Sequence, residues 1–289
     1  MASRSIPTGF HAHKYHALGN DYLVVDPEEF EPSLSVNAIS ALCDRNRGLG
    51  SDGILYGPLP PADDSPSAES AAFSLRIFNP DGSEAEKSGN GLRIFALYLY
   101  ESGRVDEAPF HVMTKGGLVE CRILPGEGGE RSITVAMGKA RFLPGSLSLS
   151  FEGVEYRAVR VSMGNPHCVL MGPSPSPEMA RHIGPLVERH PDFPSRTNVQ
   201  FLEVLDRNNI RIEIWERGAG YTLASGTSSC AAAAAAKHLG LVGDVVTVHM
   251  PGGSLEIDMQ QENIKMTGPA VRTFDALFSL HTLGMAREQ

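Results

Sequence analysis

Two serine–glycine pairs, Ser88-Gly89 and Ser225-Gly226, each open a strongly helix-forming run. The runs are SGNGLRIFALYLYESG (88–103) and SGTSSCAAAAAAKHLG (225–240), and each closes on a glycine fifteen residues after its serine. The first turn of a helix leaves backbone N–H groups unpaired and carries partial positive charge, so it is a ready site for a carboxylate. Glycine beside that turn lets ligand and backbone approach closely. Each turn also presents one hydroxyl. Two such turns facing one substrate from opposite sides suit proton exchange at both faces of a carbon, one side removing a proton and the other returning one. A serine before a helix is by itself most often a simple cap. The pairing, with Asn79 and Glu216 each nine residues upstream of its serine, favours the functional reading.

The segments around the two serines repeat as well. FHVMTKGGLVECRI (110–123) resembles VVTVHMPGGSLEID (245–258), both strand-like and broken by a Gly-Gly hairpin signal. Gly116 and Gly252 are offset by 136 and Ser88 and Ser225 by 137, so the spacing is nearly constant. Upstream, Gly19-Asn20-Asp21 parallels Gly164-Asn165-Pro166. A repeat of this length reads as an internal duplication. Each half is expected to hold short strands (15–26, 72–79, 132–138, 156–164, 198–205 and 210–216), then one main helix, then a hairpin. The polar run 62–70 reads as a loop, and 124–131 as a turn near the domain boundary. The run 271–280 is expected to return to the first domain as a closing strand. The fold class is therefore α/β (α+β) with two pseudo-symmetric domains, 1–130 plus 271–289 and 131–270.

Bulk properties narrow the function classes. The 289-residue chain carries a net charge of −9 and no Lys/Arg cluster, which argues against nucleic-acid binding. Its four cysteines, Cys43, Cys121, Cys168 and Cys230, form no CxxC pair and read as reduced structural thiols. Cys230 lies more than a turn into the second helix and is not expected to substitute for a catalytic thiol. No run of ~18 apolar residues predicts a membrane span, and the N-terminus lacks an apolar signal-peptide core. A cytoplasmic protein is expected. Residues 48–53 fit GxGxxG, but a helix-like stretch precedes them and a strand-like one follows. That inverts the dinucleotide-binding context. His11, His13 and His16 read as a solvated strand edge rather than a metal site, and the alanine run 231–236 as a closely packed central helix.

The phrases HALGNDYLVVD (16–26), CDRNRGLGSDG (43–53), FNPDGSEAEKSGNGLR (78–93), VSMGNPHCV (161–169), RTNVQF (196–201) and ERGAGYTLASGT (216–227) resemble the diaminopimelate epimerase family, in order and over roughly residues 10–275. The resemblance implies two domains, each a strand layer wrapped round a central helix, with the active-site cleft between them. It also implies a homodimer, a small-molecule amino-acid substrate, and no pyridoxal phosphate or metal. It assigns Asn20, Asn79, Asn165 and Asn198 to substrate binding. Gly89-Asn90 and Gly226-Thr227 hold the reacting carboxylate, Glu216-Arg217 contact the amine and the distal end, and His167 lies beside the catalytic pair.

The departure is at the chemistry. The family has cysteine at both proton-transferring positions, where this chain has Ser88 and Ser225. A hydroxyl is far less acidic than a thiol and needs an adjacent base, which His167 and Glu216 are expected to supply. Tyr221, Lys87 and Ser228 also depart from the family pattern. These extra changes favour a natural serine-bearing branch over a double substitution. A related isomerase or dehydratase of another amino acid and a non-catalytic substrate-binding protein are the alternatives.

Overall fold

The structure is a computed structural model that describes residues 9–29, 34–60, 72–126, 131–145 and 147–279. The polar run 62–70, residues 127–130 of the boundary turn and the last residue of the run 271–280 lie outside the described residues. The chain divides into two units, one of the residues up to Ile133 together with those from Pro269, the other Thr134–Gly268.

The first unit runs β1 (Gly9–Ala17), β2 (Asn20–Val25), α1 (Val36–Cys43), β3 (Ile54–Leu59), β4 (Phe73–Phe78), β5 (Glu84–Ala85), α2 (Gly89–Glu101), β6 (Phe110–Thr114) and β7 (Gly117–Pro125). The boundary falls within β8 (Arg131–Gly138). The second unit continues with β9 (Arg141–Phe142), β10 (Leu147–Phe151), β11 (Val154–Ser162), β12 (Pro166–Met171), α3 (Pro177–Glu188), β13 (Asn198–Asp206), β14 (Asn209–Glu216) and β15 (Gly220–Thr222). It ends with α4 (Gly226–His238), β16 (Val245–Met250), β17 (Gly253–Asp258) and β18 (Ile264–Pro269), after which β19 (Val271–Ser279) belongs to the first unit.

The duplication is visible in the pairing. In the first unit β1 and β2 are antiparallel, β2 and β3 parallel, β3 and β4 antiparallel, β4 and β6 parallel, and β6 and β7 antiparallel. In the second unit β11, β12, β13, β14, β16 and β17 repeat that sequence of senses in the same order. A parallel neighbour requires a crossover, and helices supply all four: α1 and α2 in one unit, α3 and α4 in the other.

Among the described residues each unit therefore has two helices where the sequence reading expects one. The additional helices cover the outer face of each sheet. Ala38, Ile39 and Leu42 of α1 pack with Leu23, Val25 and Ile54, and Ala180, Ile183 and Val187 of α3 pack with Cys168, Leu170 and Val199. Strand residues alternate between faces, so Tyr22 and Val24, like His167 and Val169, point inward to α2 and α4. Gly184 brings α3 close to β14, because a Cβ there would come within 2.6 Å of Trp215. The six alanines 231–236 are all buried, and α4 packs against β11, β12, β13, β14, β16 and β17. Their small side chains allow that close wrapping.

Two further expectations are corrected. Residues 15–26 form a hairpin rather than one strand: Leu18 (φ 55) and Gly19 (φ 87) adopt the left-handed turn that links β1 to β2. β1 is flanked by β2 and by β19, so His13 and His16 do not lie on a sheet edge, whereas His11 pairs with β19 alone.

The glycines that close both central helices behave as the sequence predicts. Gly103 and Gly240 each have φ 72, and the next N–H donates back into the helix, Arg104 to Leu99 O and Leu241 to Ala236 O. Nothing lies within 4 Å of a Cβ placed on Gly240. A Gly240→Ala variant should therefore lose only the backbone term, about 1 kcal/mol, read as a lower urea midpoint. An unchanged midpoint would contradict the left-handed stop.

Candidate active site

Both helix starts are built alike. Ser88 (φ −135, ψ 117) caps α2 and accepts from Gly91 N–H at 3.0 Å. Ser225 (φ −148, ψ 123) caps α4 and accepts from Ser228 N–H at 3.4 Å. The hairpin turns found in the sequence hold the chain leading into each cap. Gly116 N–H donates to Glu86 O at 2.8 Å and Gly252 N–H to Leu223 O at 2.9 Å, in each case two residues before the serine. The cap satisfies the third N–H of its turn. Among the described residues the N–H groups of Gly89, Gly226 and Thr227 have no protein acceptor, which leaves them to an anion. Ser225 is 3% exposed and Ser88 is half-buried.

In the first unit a polar chain runs to α2. Asn20 Nδ2 donates to Asp52 at 2.9 Å, Asn90 Nδ2 to Asn20 Oδ1 at 3.0 Å, and Arg93 to Asn90 Oδ1 at 3.0 Å. A carboxylate only accepts and a guanidinium only donates, so the two ends fix which way both amides face. Arg93 is fully buried and also donates to Pro269 O. Behind Asn20, Arg45 grips Asp21 through both terminal nitrogens and also reaches Asp52. Burial disfavours the charged form of Asp21, but hydrogen bonds from Arg45 and Lys14 outweigh it and lower the pKa. Asn79 stands apart from this chain: it is exposed in the turn between β4 and β5, its amide donating to Ser83 Oγ at 2.9 Å.

In the second unit His167 is 1% exposed. Its Nδ1 accepts from Gln200 Nε2 at 3.1 Å, so the ring proton lies on Nε2 and donates to Asn165 Oδ1 at 2.9 Å. Gln200 also donates to Ser228 Oγ at 2.9 Å in the first turn of α4. Burial pushes the His167 pKa down to about 3, with help from the Arg217 charge. Asn198 is a strap: its Nδ2 donates to Pro166 O at 3.0 Å and its Oδ1 accepts from Arg217 N–H at 2.9 Å. Arg217 is exposed and donates to Ser195 O at 3.2 Å, and the neighbouring Glu216, at the end of β14, is half-buried.

Two residues missing from the sequence reading belong here. Gln200 links His167 to α4, and the hydroxyl of Tyr22 lies 3.3 Å from Ser88 Oγ. The duplication could have found Tyr22, because aligning Gly19-Asn20 with Gly164-Asn165 places it on His167. Other signals resolve as structure. The His13 ring sits between Asp275 (2.7 Å) and Glu29 (3.0 Å), and among the described residues no cluster of three His, Cys, Asp or Glu could hold a metal. All four cysteines are buried, with burial pushing the Cys121 and Cys168 thiols up to about 12. Residues 48–53 lie between the end of α1 and β3, the inverse of a dinucleotide-binding turn. No helix of the described residues is long and apolar enough to cross a membrane.

The neutral His167 has a measurable consequence. Folded, it stays uncharged down to about pH 3, whereas the unfolded chain protonates it near 6.5. Below pH 6.5 the unfolded state binds the extra proton. Its stabilising contribution is thus complete above 6.5 and falls by about 1.4 kcal/mol per pH unit toward 3. Denaturant titrations of His167→Gln should show a shallower acid slope than the wild type. Equal slopes would contradict a buried neutral ring.

A family model described as "Diaminopimelate epimerase" matches residues 12–143 and 159–273. "Diaminopimelate epimerase 2" of a Nostoc species is 48% identical over 268 residues, covering 88% of this chain and 90% of that protein. "Diaminopimelate epimerase" of Pelotomaculum thermopropionicum is 41% identical over 292 residues, covering 94% and 100%. Among solved structures, a hydroxyproline epimerase from Agrobacterium vitis, 18% identical, superposes with a TM-score of 0.68 over 97% of this chain and 94% of its own, which shows a shared fold. The chain belongs to the diaminopimelate epimerase family.

Proposed function

We propose that this chain inverts the α-carbon of LL-2,6-diaminopimelate to the meso form by two-base proton transfer without a cofactor, Ser88 and Ser225 serving opposite faces. The observation that carries the reading is the duplicated helix start: a capping serine hydroxyl stands beside Gly89 in one unit and beside Gly226 and Thr227 in the other, whose N–H groups have no protein acceptor among the described residues. Gly89-Asn90 and Gly226-Thr227 would hold the reacting carboxylate. Asn20, Asn79, Asn165 and Asn198 would order the rest of the substrate, with Glu216 at the amine and the Arg217 fork at the distal carboxylate. The substrate class comes from the names of the relatives. A cytoplasmic homodimer accompanies this reading.

The role of His167 needs revision. Both of its ring nitrogens are engaged, with Gln200 and Asn165, and its low pKa makes it a weak base at neutral pH. We assign it to orienting Asn165, which leaves Glu216 as the carboxylate nearest in sequence to the second serine. Tyr221 gives no support to a different substrate. Its hydroxyl donates to Glu213 at 2.8 Å, and the Arg181 guanidinium lies 4.0 Å from its ring.

Incubation with LL-diaminopimelate in heavy water should place deuterium at the α-carbon, with meso product accumulating. No deuterium at high enzyme concentration would end this reading. Replacing both serines with cysteine should raise the exchange rate at least about 10²-fold, since proton transfer improves as the acid's pKa approaches the working pH. No gain would mean that the pocket itself has diverged.

A further inference from the structure

Ser88 faces a phenol. The Tyr22 hydroxyl lies 3.3 Å from Ser88 Oγ, close enough for either group to donate to the other. The ring is held in place. Leu23 and Val25 face the α1 cluster, so alternation along β2 turns Tyr22 toward α2. Only 8% of Tyr22 is exposed. The ring also covers Gly53, where a Cβ would come within 2.7 Å of it and 2.5 Å of Phe78 O. In the duplication Tyr22 occupies the position of His167, but the two differ in what they reach. His167 spends both nitrogens on Asn165 and Gln200, whereas Tyr22 bonds the serine directly.

We propose that Tyr22 is a positioning residue that exchanges a proton with Ser88 and so makes this hydroxyl usable as acid and base. The proposal rests on the two-base reading above. In the removal direction the α C–H bond breaks and its electrons stay on carbon. Ser88 Oγ takes that proton while its own passes to the Tyr22 phenolate. In the return direction Ser88 gives its proton to the carbanion and the Tyr22 phenol re-protonates Oγ. Each turn leaves the serine as it began and moves one proton between substrate and phenol. Removal needs the phenolate, so its rate should rise with pH.

Two measurements test this. In the first, α-proton exchange is followed against pH in wild type, Tyr22→Phe and a chain carrying 3-fluorotyrosine at position 22. Tyr22→Phe should lose about 10²-fold together with the alkaline rise, and the more acidic fluorotyrosine should move that rise to lower pH. An unchanged rate and pH profile in Tyr22→Phe would overturn the proposal. The second measurement does not depend on turnover. In a Ser88→Cys variant the new thiol is the half-buried one among buried cysteines, so iodoacetamide should label it selectively. A phenol donating to the thiolate lowers its pKa, so adding Tyr22→Phe should raise the labelling pKa by about one unit. Identical labelling profiles would also overturn the proposal. If the wild type shows no exchange, the two-base reading fails, and the labelling pair still decides whether Tyr22 controls position 88.

Discussion

A helix that begins inside a protein must find partners for the N–H groups of its first turn, or leave them to a ligand. That constraint organises both units. One N–H of each turn goes to a capping serine, and among the described residues those of Gly89, Gly226 and Thr227 have no protein acceptor. The surrounding structure follows from holding those turns in place. Gly-Gly hairpins bond the segments that lead into the caps, left-handed glycines end both helices, and small or glycine residues let strands come close. Gly91 belongs to this set: a Cβ there would meet Leu55 at 2.9 Å and crowd Ser88.

The polar groups around the turns are scaffolding as much as binding surface. In the first unit Asp52 and Arg93 impose a single direction on the Asn20–Asn90 amides. In the second, Gln200 fixes the His167 ring and through it Asn165. Each unit thus presents oriented amides beside an electropositive helix start, which suits a zwitterionic amino acid. The two differ in the partner given to the serine. The first unit supplies a phenol in contact with the hydroxyl, and the second supplies a buried neutral imidazole linked to it through Gln200 and Ser228.

Much of this was legible in the sequence because it is local. Caps, helix-stopping glycines and hairpin turns depend on a few adjacent residues, and the duplication shows each twice. The outer helices were harder to read. α1 has only eight residues, and α3 carries Gly184 and Pro185 inside it, which break the helical signal although Ala180, Ile183 and Val187 keep its spacing. The β1–β2 hairpin was hidden because Leu18 adopts the left-handed conformation without being glycine. Tyr22 and Gln200 escaped notice because their partners lie 66 and 28 residues away. Their roles come from which face of a strand meets which helix, and that is set by the outer helices the sequence concealed.

The central proposal is that both helix starts serve a single substrate. Amide ¹⁵N shifts of Gly89, Asn90, Gly226 and Thr227 followed during a titration with meso-diaminopimelate test it most directly. All four should move together along one saturation curve with a common dissociation constant. Movement confined to one helix start, or two curves with separate midpoints, would contradict the account.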